Sequence, residues 1–235
     1  MIDIHCHILP AVDDGAKSWD VTLEMCRIAQ QDGVKHIVAT PHANYEYRYD
    51  RAANQALLDE LRARAPELSF TLGCDFHLSF ENIEDALERP ERYAIGDSHY
   101  ILVELSEYSA FNLKQTIYQL QTTGLTPIIT HPERNPFVLA KPEMVREFCD
   151  LGCLIQITAN SLTGFWGKYS QKMCEELLRK RMVHFIASDA HGRKSRPPLL
   201  TAALNAAGKI VGAEAAERLV NTNPGAVVGN KILAF

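Results

Sequence analysis

The chain has no Cys-x-x-Cys pair, no arginine six residues beyond any cysteine, and no excess of basic residues. Its six cysteines stand singly, except that Cys149 and Cys153 are four apart and read as core thiols sharing a helix end or the turn after it. A chain of this length needs no disulfide staples, and without an arginine-lined cysteine loop nucleophilic thiolate chemistry is excluded. Net charge is −5 and the pI about 6.0, the wrong sign for a nucleic-acid footprint. No apolar run reaches the roughly 18–20 residues that a membrane-spanning helix requires. The N-terminus shows no basic stretch leading into an apolar one, so the expectation is a cytoplasmic protein without membrane insertion. Self-association into a homo-oligomer is compatible with the sequence.

What is present is apolar content and its order. Of 235 residues, 46% are hydrophobic and 23% charged, enough to bury one sizeable core. Short β-rich runs recur at 2–4, 36–39, 70–73, 101–104, 127–130, 154–157 and 184–187. Their spacing of about 27–35 residues matches a strand succeeded by a helix that crosses back over a parallel sheet. Ser18 can cap a helix carrying Val21, Met25, Ile28 and Ala29 that ends at Gly33. Further helices are expected from Arg51 to Ala65, from Asn112 to Gly124, at 142–151 and at 170–181. With no linker or composition break, residues 1–235 read as a single α/β domain. Seven such units predict a closed or nearly closed barrel.

The placement of the histidines and carboxylates is more informative than their number. His5 and His7 come after the first strand, His42 after the second and Asp75 after the third. Glu104 ends the fourth, His131 comes after the fifth, and Asp189 with His191 after the seventh. Parallel barrels carry their active sites at the C-terminal ends of the strands. Histidines placed at random would scatter over helices and both ends instead. Each motif alone has a plain reading: His-x-His occurs without metal, and Asp13-Asp14-Gly15 suits a turn. Taken together with Asp189-x-His191, they predict a metal centre.

A mixed imidazole and carboxylate set suits divalent ions such as Mn²⁺, Fe²⁺ or Zn²⁺. Nine ligands are too many for one ion and fit two or three, with a carboxylate as the natural bridge. Such a centre lowers the pKa of bound water to about 7 and clamps the charge of an in-line displacement. Phosphate monoesters are the substrates that most need that help. Arg134, three residues after His131, and Arg196, beyond His191, offer guanidinium forks for phosphoryl oxygens; Arg193 is a weaker candidate. Tyr45, Tyr47 and Tyr49 either line the mouth or pack within the loop. His36, His99 and His184 lie at strand starts and read as structural, and His77 reads as packing.

The segments Met1–Gly15, Ala39–His42, Ile129–Arg134 and Ala187–His191 resemble the polymerase and histidinol phosphatase (PHP) superfamily. More narrowly, they are similar to the bacterial metal-dependent tyrosine-protein phosphatases of the CpsB/YwqE type. The resemblance spans about residues 1–200, including Gln156–Gly164 and Arg196; the tail is less distinctive. It implies a distorted (β/α)7 TIM-like barrel with three metal ions, commonly manganese. One ion would be held by His5, His7, Asp75 and Asp189, a second by Asp75, Glu104 and His131, and a third by Asp14, His42 and His191. Relatives usually carry glutamate at the bridging position, whereas this chain has Asp75, one methylene shorter. A bridge there requires the strand end to sit closer to the ions.

The resemblance implies hydrolysis of phosphotyrosine on a bacterial tyrosine kinase of capsule or exopolysaccharide synthesis. Metal-activated hydroxide would attack phosphorus while Arg134 and Arg196 hold the non-bridging oxygens; the general acid is His42 or a metal-bound water. The alternatives are a phosphoesterase acting on a small alkyl phosphate such as histidinol phosphate, and a non-catalytic metal-binding protein.

Overall fold

The computed structural model describes residues 1–106 and 112–233. Among the described residues, nine parallel strands form seven staves. The strands are β1 (Ile2–Cys6), β2 (His36–Ala39), β3 (His42–Ala43), β4 (Ser69–Leu72), β5 (Asp75–His77), β6 (Tyr100–Glu104), β7 (Thr126–Thr130), β8 (Leu154–Thr158) and β9 (Phe185–Ala187). All seven expected strands are present. The two extra ones arise because the second and third staves are interrupted, at Thr40–Pro41 and Gly73–Cys74, and resume as β3 and β5. Pairing runs β1-β2-β4 and β3-β5-β6-β7-β8-β9. A parallel bridge between Cys6 and Ala190 brings the last stave beside the first, reinforced by Asp189 N–H donating to His5 O at 2.8 Å. This is the distorted seven-stave barrel expected from the sequence.

Side-chain alternation sorts the core into two layers. Val38, Tyr100, Leu102, Ile128, Leu154, Phe185 and Ala187 form an inner cluster, while Ile37, Ile101, Val103, Ile129, Ile155 and Ile186 pack outward with the helices. Traced toward the strands' C-terminal ends, the inner rows run into polar residues. Leu102 leads to Glu104, Ala187 to Asp189, Val38 to Thr40 and His42, and Leu154 to Gln156. Period two therefore delivers these side chains to one end of the barrel.

β1 departs from that alternation. Asp3 pairs with Ile37 but Cys6 pairs with Ala39, so one extra residue is inserted between them. Such a bulge lets two residues oppose one and re-aims the side chains beyond it. Ile4 joins the inner cluster, and so the bulge turns His5 and His7 inward as well. On the outward side, Asp3 accepts from Ser188 N–H at 2.9 Å and ties β1 to the last stave.

The helices obey local chemistry. Trp19–Gln31 starts at Ser18, whose hydroxyl accepts from Val21 N–H, and Arg51–Arg64 starts at Asp50, which accepts from Ala53 N–H. Leu113–Thr122, Met144–Asp150 and Gly167–Arg179 lie within a few residues of the expected spans. Not expected from the sequence were the helix Phe80–Glu88, capped by Ser79, the short helices Pro136–Ala140 and Ala159–Leu162, and the C-terminal helices from Thr201 onward. Val227, on the helix Asn223–Val228, packs with Ile2 and Ile4 in the inner cluster and plugs the barrel at its N-terminal end. The six cysteines are free thiols and five are buried, as expected of core residues. Among the described residues, no helix is long and apolar enough to cross a membrane.

Candidate metal centre

The nine side chains singled out as ligands converge at the C-terminal mouth of the barrel. Four sets have ligand atoms within 4.8 Å of one another: His7, Asp14, His42 and His191; His5, His7 and Asp75; His5, His131 and Asp189; and His42, Asp75 and Glu104. Asp75 belongs to two of them, with Oδ2 3.5 Å from His5 Nε2 and 3.1 Å from His42 Nδ1. The shorter carboxylate thus reaches both sides. The grouping differs from the family pattern in three respects: His7 also stands with Asp14, His42 and His191; Asp189 groups with His5 and His131 rather than with His7 and Asp75; and His42, not His131, joins Asp75 and Glu104.

Backbone conformation aims several of these groups. His131 (φ 32°) and Asp189 (φ 50°) both occupy the left-handed region directly after their strands, which is uncommon for non-glycine residues and clusters at functional sites. At His131 the turn comes right after Thr130, on the inner row, and brings the His131 side chain to the mouth. Gly15 is needed for a different reason. A Cβ there would sit 2.3 Å from the carbonyl oxygen of His7.

Two hydrogen bonds fix the imidazole tautomers. His7 Nδ1 lies 2.7 Å from Asp13 Oδ2, and His5 Nδ1 lies 2.9 Å from Gln156 Oε1. Both partners are acceptors, so both Nδ1 atoms carry a hydrogen, and in the neutral rings that ligate a metal both Nε2 atoms present lone pairs. Those two Nε2 atoms are 3.2 Å apart, facing each other. Two lone pairs at that distance repel, and a cation between them turns the repulsion into ligation. Asp75 gives the same indication. It is fully buried, and neither carboxylate oxygen has a hydrogen-bond partner. The His5 and His42 imidazoles stand by its charge without hydrogen-bonding it; burying a carboxylate without hydrogen bonds is costly, and a divalent cation is the partner these donors fit.

The electrostatics agree with a cation site. Burial opposes ionisation of Asp75 and Asp189, yet the neighbouring cationic groups, His5 foremost, hold both well below the ordinary carboxylate range. Burial likewise opposes charge on His5, but Asp75 and Asp189 outweigh it and lift its pKa to about 9. Burial, with the charges of His191 and His42, pushes His7 down to about 3. The carboxylates therefore favour positive charge in their midst, while crowding keeps the neighbouring imidazoles from all supplying it.

Arg134 and Arg196 both donate to Asp189 Oδ2, Arg196 at 2.7 Å. They form one wall of a mouth of about 220 Å³ that Asp14, His42, Glu104, His131 and His191 also line. Arg193 is exposed. The tyrosines divide between the two readings. Tyr45 is exposed at the mouth and Tyr47 stacks on His42, whereas Tyr49 is buried and donates to Gly73 O at 3.0 Å.

Sequence reasoning missed four residues here. Asp13 does more than make a turn, because it also accepts from Gly15 N–H and His42 N–H at 2.9 and 3.2 Å. Gln156 lies on the inner row after Leu154, a signal that period two carries. His77, read as packing, lines the mouth with Nδ1 3.5 Å from Glu104 Oε2. Trp166 lies with its ring 4.1 Å from the Arg134 guanidinium, and no periodicity announced it. His36 and His99 are structural as expected, bonding Thr71 Oγ1 and Asn230 Oδ1.

Known proteins are similar in sequence and in fold. Residues 1–229 match the family model for capsular polysaccharide synthesis, CpsB/CapC. The chain is 36% identical over 202 residues to the tyrosine-protein phosphatase YwqE of Bacillus subtilis, covering 83% of this chain and 79% of that protein. It is 31% identical over 244 residues to the tyrosine-protein phosphatase CpsB of Streptococcus pneumoniae, covering 99% and 100%. A crystal structure from work on these two proteins, described there as unique metal-dependent tyrosine phosphatases, superposes with a TM-score of 0.88. Identity is 33%, over 100% of this chain and 96% of that one. A histidinol phosphate phosphatase from Lactococcus lactis, complexed with zinc, L-histidinol and phosphate, shares the fold. Its TM-score is 0.58 at 11% identity, over 92% of this chain and 93% of that one.

Proposed function

This chain belongs to the CpsB/CapC family of capsular polysaccharide synthesis, and from that premise we propose that it is a metal-dependent protein-tyrosine phosphatase. The observation that carries the reading is the buried Asp75 carboxylate, which lacks a hydrogen-bond partner and is shared by two of the ligand sets. Two or three divalent cations, Mn²⁺ by resemblance with Fe or Zn as substitutes, would be held by His5, His7, Asp14, His42, Asp75, Glu104, His131, Asp189 and His191. Bound there, they supply acidified water and neutralise phosphoryl charge.

The chain's own residues do the rest. Asp13 and Gln156 keep His5 and His7 in the tautomer that directs Nε2 inward. Arg134 and Arg196 hold non-bridging phosphoryl oxygens, exchanging the Asp189 oxygen for those of the substrate. The phenolate of tyrosine, with a pKa near 10, departs with less protonation than an alkoxide needs. His42 stands close enough to Asp14, Asp75 and Glu104 to serve either as ligand or as proton donor. Tyr45, exposed at the mouth, offers an aromatic face to the substrate ring. The substrate we infer is a phosphotyrosine-bearing protein in the cytoplasm, a bacterial tyrosine kinase of capsule or exopolysaccharide synthesis.

The test is a side-by-side assay of a phosphotyrosyl peptide and histidinol phosphate with Mn²⁺-loaded protein, before and after chelation. Faster release from the peptide, abolished by chelation and restored by metal, is expected. Equal or faster turnover of the alkyl ester would defeat the tyrosine reading, and turnover that survives complete metal removal would defeat the metal reading.

A further inference from the structure

Arg134 and Arg196 pose a physical difficulty. Both guanidiniums donate to Asp189 Oδ2, and Arg196 also donates to the Asp189 backbone carbonyl at 3.0 Å, while the other carboxylate oxygen faces His5 and His7 at 3.5 and 3.6 Å. Asp189 is needed on the ligand side, so it cannot be the sole anchor of both arginines once a phosphoryl group competes for them. Long arginine side chains carry about 2 kcal/mol of rotamer entropy each, and a guanidinium released from the carboxylate, Arg134 above all, would not stay aimed at the mouth. Something on their other side has to hold them.

Trp166 is there. The Arg134 guanidinium carbon lies 4.1 Å from the centre of its ring and that of Arg196 5.4 Å, both within the range of cation–π attraction. The ring is fixed by its surroundings. Gly164 and Gly167, with φ of 93° and 88°, bracket the pair Phe165–Trp166 in a turn closed by Gly167 N–H donating to Gly164 O at 3.1 Å. Phe165 packs edge-on against Trp166 with centroids 5.3 Å apart. The indole remains 37% exposed, so burial in the core does not account for its position.

We propose that Trp166 is the positioning residue of the phosphoryl clamp: its face carries both guanidiniums and keeps them aimed at the mouth when they leave Asp189 for the substrate. The proposal rests on the reading of Arg134 and Arg196 as phosphate-binding groups. A flat π-face suits the task, because a guanidinium can slide across it without losing the attraction, which a hydrogen-bond acceptor would not allow.

The experiment uses the full, Mn²⁺-loaded protein and inorganic phosphate as the probe, with Trp166→Ala, Trp166→Leu and Trp166→Phe. Removing the ring should weaken phosphate binding by calorimetry about 5- to 30-fold and raise KM for a phosphotyrosyl peptide by a similar factor. The expected change in kcat is less than about threefold, with metal content and melting temperature close to those of the parent protein. Trp166→Phe should recover most of the binding, whereas Trp166→Leu, apolar but without a π-face, should not. The Phe and Leu pair decides the matter if Trp166→Ala fails to fold. Equal phosphate affinity in the Leu and Phe variants would overturn the proposal and leave the functional reading standing. Parent protein that neither binds phosphate nor hydrolyses phosphotyrosine would overturn both.

Discussion

Replacing Gly15 by alanine adds one methyl group, and its consequence can be worked from distances. The new Cβ would lie 2.3 Å from His7 O, 2.5 Å from His7 Cβ and 2.9 Å from Asp13 Oδ1, all inside the 3.0 Å that real Cβ contacts respect. The obstacle is backbone, so it cannot rotate aside. His7 O accepts from Ala16 N–H at 3.1 Å and His7 N–H donates to Ala190 O at 2.9 Å, which pins the carbonyl from both sides. Relief requires breaking one of these bonds, about 1 kcal/mol net, on top of roughly 1–3 kcal/mol for forcing a methylene-sized group into packed surroundings. In a chain of this size the total of about 2–4 kcal/mol lowers Tm by roughly 5–15 °C. Because His7 and Asp13 are the atoms displaced, metal content should fall with stability. Calorimetric melting and elemental analysis of purified Gly15→Ala against the parent protein check both. A Tm within about 1 °C and unchanged metal would refute the argument, since nothing else in the structure could absorb the contact.

Asp75→Asn keeps the shape but removes the charge shared by two ligand sets; metal stoichiometry should drop, and turnover should fall by more than the roughly 10–100-fold typical of outer-layer partners. Full occupancy and activity would show that the carboxylate bridges nothing. Asp13→Asn should cost about 10–100-fold in metal affinity without removing a ligand, because the one remaining oxygen cannot serve His7, Gly15 and His42 together and the tautomer of His7 is no longer fixed; unchanged affinity in a metal titration would contradict that role. His184 tests acid stability away from the site. Burial lowers its pKa to about 4, and Ile155 N–H donates to Nδ1 at 2.9 Å, a bond that only the neutral ring accepts. The unfolded chain binds this proton near pH 6.5 and the folded chain does not. Stability should therefore decline as pH falls from about 6.5 to about 4, by up to about 3 kcal/mol. Denaturant melts of His184→Gln across that window should show a shallower decline than the parent protein, and parallel curves would count against it.

The barrel was legible because the staves are apolar on both their inner and outer sides, so short apolar runs recur along the chain at the spacing of a strand and its crossover helix. The ligands were legible because they terminate those runs. The features that escaped notice have a common cause. The roles of Asp13 and Trp166 depend on loops whose course is set by tertiary contacts rather than by local pattern. The left-handed turns at His131 and Asp189 leave no compositional trace, since neither residue is glycine. β3 and β5 were hidden by the interruptions that separate them from β2 and β4. Helix Phe80–Glu88 was overlooked although Ser79 supplies an ordinary cap, and the C-terminal plug carries few large apolar residues for a pattern to reveal.

The extra residue in the first strand bears on anyone who would move this centre to another scaffold. On a strand that alternates without interruption, a His-x-His pair placed after Ile2 and Ile4 would face the surrounding helices, and the imidazoles would be sealed under them. The half-step offset has to travel with the histidines. A graft that copies the ligands and omits the inserted residue would reproduce every side chain and leave the opening empty.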